Sequence, residues 1–414
     1  IFFAVSDREW VLNGAMVHVS MVGFDNGNEK SKQLDGNVVL GIAANLKGNG
    51  DTTVALPLRE NELIGFIGVA QKAPFDITDA EATSMLLELN PNGRPNSDVL
   101  TPIRNAEDLT RRPRNVWNID FGLDRSIQDA AGYERPFEHI RTVVYPLRIA
   151  HREARQTRYW WLFARPCPDM RKALVGLPRF LATPRVSKHR VFVWLSPEML
   201  SDSAIVAFAS ADDHIFGLLH SRFHEIWALA QGTQLREKES GFRYTPSTCF
   251  ESFPFPRLTD VQKAAIAVAA QELNQLRERW LNPPEWTLEK FLEFPGTVGG
   301  PWDRYIDKST VPPNSQIGPV RYPRLEPRDA ECAAKLKDRT LTKLYNQRPA
   351  WLDLAHKKLD AAVAEAYGFP ADISDEQILE KLLALNLERA AQEAQETAVN
   401  QPTAQRGRRS DEMI

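Results

Sequence analysis

Leu177-Pro-Arg-Phe-Leu-Ala-Thr-Pro-Arg-Val-Ser-Lys-His-Arg190 runs without a break into Val191-Phe-Val-Trp-Leu195. The apolar second part reads as a short buried strand, and the polar turn before it as a loop held out by that strand. The stretch closes the most lopsided charge window of the chain. Between residues 141 and 190 stand twelve Lys/Arg, ten of them Arg, against only Glu153 and Asp169, in a chain whose net charge is −3. Tyr145, Tyr159, Trp160 and Trp161 are interleaved with them. Arginine forks match phosphates and guanine edges, so a basic window laced with aromatics reads as the footprint of a nucleic-acid face. A solvated surface paired with acids elsewhere in the fold is the plainer alternative.

Outward from this window, 414 residues at 43% hydrophobic and 25% charged give material for two or three domains. Cys167, Cys249 and Cys332 are scattered and fit no metal-ligand spacing. They point to a reducing, cytoplasmic setting, and no apolar run is long enough to span a membrane. Ile1-Phe-Phe-Ala opens as if in mid-strand, which suggests a piece of something longer.

Along the chain, Ile1–Val5 and Ala15–Val22 read as paired strands, the second alternating through Val17, Val19 and Met21. Residues 25–53 read as loop with one short strand at Val38–Leu40. Helices are expected over Asp79–Leu89, His139–Arg158 with an interruption at Pro146, Ile215–Ala230, Thr259–Leu281, Leu341–Tyr367 and Glu376–Leu387. Strands are expected at Val116–Phe121 and Ala204–Phe208. Residues 282–325, rich in Pro and Gly, read mostly as loop.

Four local patterns invite an enzymatic reading. Lys47-Gly-Asn-Gly-Asp51 lacks the leading strand and following helix that a dinucleotide or methyl-donor turn needs. Asn282-Pro-Pro-Glu285-Trp286 resembles an amino-methyltransferase signature, but Glu285 stands at the aromatic position and a long helix precedes it, so a helix-ending loop fits better. His220 and His224 have zinc spacing without the metalloprotease Glu or a third ligand, and fit the polar face of an amphipathic helix. Asp212-Asp213 fits a turn ahead of a helix.

Longer motifs carry a resemblance. Ser6-Asp-Arg-Glu-Trp10, Gly93-Arg-Pro-Asn-Ser-Asp-Val99, Asp108-Leu-Thr-Arg-Arg-Pro113, Trp117-x-Ile-Asp-Phe-Gly122, Leu177 to Arg190, His220-Ser-Arg-Phe-His-Glu-x-Trp227, Phe250-Glu-Ser-Phe-Pro-Phe-Pro256 and Leu341-Thr-Lys-Leu-Tyr-Asn-Gln-Arg-Pro349 resemble the large adenine-specific DNA methyltransferases related to MmeI-like restriction-modification enzymes. The resemblance implies an α/β and α+β multidomain chain. Residues 1–55 would be the last strands of a Rossmann-like methyltransferase sheet, 56–257 a mixed α/β DNA target-recognition domain, 258–390 a helical C-terminal region and 391–414 a disordered tail. It also implies S-adenosylmethionine as the parent enzyme's donor, bound by motifs upstream of this chain and not by this chain alone.

The implied partners are double-stranded DNA and the upstream catalytic domain of the same polypeptide, without a membrane. Lys188, His189 and Arg190 are expected at base edges, with Arg94 and Asn96 as second choices. Arg111, Arg112, Arg114 and Arg185 are expected at phosphates. A non-enzymatic RNA- or protein-binding module is the alternative.

Overall fold

A computed structural model describes residues 1–39, 41–42, 46, 52–234, 241–370 and 372–400, and divides the chain into two compact units. Lys47–Asp51 lies outside the described residues.

The first unit gathers residues 1–62, 250–255 and 373–414. Phe3–Leu12 and Ala15–Gly23 form an antiparallel hairpin whose tight turn is Asn13-Gly14, both at positive φ as a two-residue connection requires. Lys32–Leu34 adds in parallel to the first strand, and Asn37–Val39 completes a four-stranded sheet. Two buried asparagines organise the rest of the unit. Asn61 donates from Nδ2 to the carbonyls of Phe250, Glu251 and Phe253. Asn386 bonds both backbone groups of Leu56 and the carbonyl of Ser252. Asn386 lies on the Asp375–Asn400 helix. That helix extends ten residues into the segment expected to be disordered, because Gln, Glu and Ala are strong helix formers. The remaining tail, 401–414, lies outside the described residues.

The second unit holds residues 63–249 and 256–372. One antiparallel sheet has the order Val193–Leu195, Phe180–Pro184, Ile205–Phe208, Gly65–Ile67. Every residue of Phe180–Pro184 is buried, as a central strand covered on both faces requires. A second sheet runs Leu200–Ser201, Leu100–Arg104, Trp117–Ile119, Asp76–Ile77, its first pair parallel. Phe75, Trp117, Phe121, Tyr133, Phe180 and Trp302 belong to one shared apolar core. The Asp260–Leu281 helix begins in a capping box of Thr259 and Gln262.

Four sequence expectations change, the first over 139–158, where Glu134–Val143, Tyr145–Arg148 and Ala154–Arg158 stand as three short helices. Residues 282–325 are not mostly loop: Thr287–Thr297 and Ile317–Pro327 pair over eleven positions as a two-stranded ribbon. The 215–230 helix is two helices, Asp213–His220 and Arg222–Gln231, because the Ser221 hydroxyl caps the second by accepting from the His224 N–H. The 341–367 helix likewise divides at Pro349 into Leu341–Gln347 and Ala350–Tyr367.

Candidate nucleic-acid interface

A cleft of about 690 Å³ opens in the second unit between the end of the Leu100–Arg104 strand, the Arg111–Asn115 turn, the Val193–Leu195 strand, the Ile317–Pro327 strand and residues 333–341. Its lining brings together six cations, Arg104, Arg111, Arg112, Arg324, Lys337 and Arg339, and four carboxylates, Asp79, Asp108, Glu278 and Glu326. Leu341 also lines a smaller adjoining hollow of about 30 Å³ that contains Lys188 and His189.

Asp108 builds the near wall. Its carboxylate accepts the Asn105 N–H at 2.9 Å, the Arg114 N–H at 2.9 Å, and both arms of the Arg114 fork at 3.0 and 2.9 Å. Burial pushes its pKa up, but the Arg114 fork and the backbone donors outweigh burial and hold the group below the usual carboxylate range. Asp79 plays the same part opposite, accepting from Trp117 Nε1 and Arg324 Nη2, each at 2.9 Å. Trp194 is fixed on both faces, with the Arg179 guanidinium 3.7 Å from its ring centre and Phe216 stacked at 5.5 Å. Arg339 lies over the rings of Trp280 and Trp286.

The sequence-selected residues fall into three groups. Lys188, exposed, and His189, half-buried, stand on the turn beside the cleft; Ser187 Oγ bonds the His189 carbonyl at 2.7 Å, and His189 Nε2 meets Asn346 Oδ1 at 2.8 Å. Gly241 locks this turn from behind: at φ +81, a Cβ there would lie 2.0 Å from the Ser187 oxygen. Arg111 and Arg112 line the cleft, although Arg112 spends Nη1 on the Leu281 carbonyl and Asn282 Oδ1. Arg114 stands beside them in the same turn, engaged with Asp108.

Arg185 lies outside this lining. Burial, then Arg243 and Arg165, push its guanidinium down in pKa, marking a separate cationic cluster. Arg94 is exposed and does not line the cleft either.

Arg190 and Asn96 point inward and are corrections to the expected reader set. Arg190 is fully enclosed, donating to Thr183 Oγ1 at 3.0 Å and to the Pro184 carbonyl, with its guanidinium over Phe242 and Tyr244. Asn96, 1% exposed, donates to the Met85 carbonyl and accepts from Asn90. Both are committed to holding backbone.

Three of the four discounted motifs gain no chemistry, and the fourth, Lys47–Asp51, lies outside the described residues. Asn282-Pro-Pro ends the long helix, and the Pro283 carbonyl accepts from Thr287 Oγ1. His220 and His224 are not on a polar face: both are buried, on separate helices, and bonded to Arg277 and Tyr244 respectively. Asp213 pairs with Arg179 at 2.8 Å. Among the described residues no cluster of His, Cys, Asp and Glu could hold a metal, and no helix is long and apolar enough to cross a membrane.

The sequence reading missed Arg104, Arg324, Lys337 and Arg339. Their only linear signal was Tyr322-Pro-Arg324, an arginine between aromatic and proline residues in a segment read as loop.

This architecture, of mixed α/β composition with several small sheets and many helices, is shared with a solved restriction-modification enzyme. The solved structure of the type IIL restriction-modification enzyme MmeI in complex with DNA is similar to 94% of this chain with a TM-score of 0.64, at 18% identity and over 46% of that chain. DNA methyltransferase A of Bacillus subtilis (strain 168) is 26% identical over 190 residues, 45% of this chain and 15% of that protein. The chain therefore spans less than half the length of either. No family model matches.

Proposed function

We propose that this chain is the DNA target-recognition part of a site-specific adenine-N6 methyltransferase, of the restriction-modification type, that takes its methyl group from S-adenosylmethionine. Its partners in this reading are duplex DNA and the catalytic domain of the same polypeptide. One observation carries the proposal: cations dispersed over more than 200 positions of sequence, from Arg104 to Arg339, converge on one mixed-charge cleft beside the Lys188–His189 turn. Phosphate contacts need exposed, mobile cations, and base contacts need side chains on rigid supports; Arg111 fits the first need, as does Lys188, whose exposure moves it here from the base-edge role expected of it, and the strand-borne cleft lining fits the second.

The donor fits this chain poorly. Among the described residues no Gly-x-Gly turn joins a strand to a helix, and the sequence holds that pattern only at Gly48 and Gly50. No methyl-transfer step is routed through these residues. Their part is to hold the duplex in register while an adenine is taken out of the stack elsewhere in the enzyme.

Binding of the full chain to a randomised duplex pool tests the reading. Enrichment of one sequence is expected, with affinity falling steeply as salt rises. Binding to single-stranded RNA in preference to every duplex would overturn it.

A further inference from the structure

Four arginines of the second unit are nearly or fully enclosed, and one of them differs from the rest. Arg148 donates to the carbonyls of Leu162 and Gln71 and lies over Phe75. Arg190 is clamped as described above, and Arg277 donates to His220 Nε2 at 2.6 Å and to the Phe192 carbonyl at 2.9 Å. Each of these guanidiniums donates from its Nη groups to interior acceptors, although its Nε is left without a partner.

Arg104 is only 9% exposed, yet it makes no ion pair among the described residues. Its one hydrogen bond, Nη1 to the adjoining Ile103 carbonyl, is long at 3.4 Å. The neighbouring carboxylates are already occupied, Asp108 by Arg114 and Asp79 by Arg324. A buried cation without a partner is costly, and burial pushes this guanidinium below its ordinary pKa. Nε and Nη2 are left without acceptors, and the residue lines the cleft.

The free edge of a guanidinium presents two parallel N–H donors, which two kinds of acceptor pair match: phosphate oxygens, or N7 and O6 of guanine. The support chooses between them, because a base reader needs a rigid one. Arg104 pairs with Ser201 in a parallel ladder, and its carbonyl accepts the Asp202 N–H at 3.0 Å, so its backbone is fixed from the neighbouring strand.

The geometry points to Arg104 as a guanine-reading residue whose Nε and Nη2 donate to N7 and O6 of a guanine entering the cleft. This rests on the duplex-binding reading above.

The test uses the full chain, a randomised duplex pool and two salt concentrations, with wild type and Arg104→Lys compared. Lysine keeps the charge and loses the fork. The expected result is a wild-type site with a guanine at one position whose preference falls roughly tenfold or more in Arg104→Lys, while affinity for unselected duplex and the salt slope stay unchanged. A second arm needs no variant: replacing that guanine by 7-deazaguanine, which lacks the N7 acceptor, should weaken wild-type binding and leave Arg104→Lys binding unaffected. If the variant fails to fold, the wild-type response to 7-deazaguanine at each selected guanine decides.

Selection of the same guanine by both proteins, or no loss with 7-deazaguanine anywhere in the site, would overturn the assignment and leave duplex recognition standing. A uniform loss across all sequences with a shallower salt slope would make Arg104 a phosphate contact and overturn it equally. Absence of any duplex binding by wild type would bring down the recognition reading, and this inference with it.

Discussion

The 141–190 window and the cleft invite comparison, because the sequence places its charge in the first and the fold gathers its charge in the second. Of the window's basic residues, Arg148 and Arg190 are interior struts, while Arg141, Arg171 and Arg179 pair with Glu138, Asp120 and Asp213. Only its last turn, at Lys188 and His189, adjoins the cleft. Of the cleft's own cations only Arg111 and Arg112 were singled out in sequence; Arg104, Arg324, Lys337 and Arg339 come from strands and from the end of a helix and the turn after it. A run of charge along the chain reports composition; whether the charge forms a face depends on which way each side chain is turned by its element.

The sharpest way to break this comparison is to remove one arginine of each kind. Arg277→Ala should lower the unfolding free energy by about 3–5 kcal/mol, because it leaves a cavity, strips the Phe192 carbonyl of this donor and takes one of two donors from His220 Nε2. Arg104→Met should stay within about 1 kcal/mol of wild type, or gain, since it removes a buried charge that makes no ion pair among the described residues. Urea denaturation of both variants decides; equal losses would erase the distinction between strut and reader.

A second, smaller effect appears on acidification. Burial, followed by Arg190 for His224 and by Arg348 for His356, pushes both imidazoles down to about 3. The unfolded chain takes up those protons near pH 6.5, so each histidine contributes stability that is present above about pH 6.5 and lost as pH falls towards 3. By pH 5 the loss is about 2 kcal/mol per histidine. Asp202 runs the other way: burial pushes its carboxyl up to about 6, so its contribution favours the folded chain below about pH 4 and fades as pH rises through 6. Denaturation midpoints from pH 7 down to 5 should fall for wild type and fall less for His356→Gln.

Gly241→Ala tests the turn itself. Its added methyl meets the Ser187 carbonyl in a left-handed backbone, so about 2 kcal/mol of stability should be lost, and duplex affinity should drop as Lys188 and His189 shift. Lys188→Ala is the mildest change. Stability should stay within about 0.5 kcal/mol and the salt slope should fall by about one, equally on every sequence.

Much of the fold was legible. Apolar residues at helical spacing from Ile266 to Trp280 announced the long helix, alternation announced the opening hairpin, and an unbroken apolar run marked Ile205–Phe208. The ribbon was hidden by its prolines. Pro295, Pro319, Pro323 and Pro327 all share one parity in the register, so in a ribbon of two strands their missing N–H groups can face away from the partner strand. A rule that treats proline as a strand breaker cannot see that parity without the pairing. The site was half legible: the Lys188–His189 turn and Arg111–Arg112 could be read, whereas Arg190 is turned inside by the strand that was expected to hold it out. Arg104 carries no sequence signal, because what sets it apart is the prior engagement of Asp108 and Asp79 by other arginines.

Hydrogen exchange of the full chain with and without duplex DNA tests the central claim most directly, because it asks where the duplex lies without altering a residue. Protection is predicted to converge on residues 104–117, 186–190 and 320–341, which are far apart in sequence and meet at the cleft. Protection spread over 141–172, with the cleft segments unchanged, would contradict the account and return the interface to the charge window.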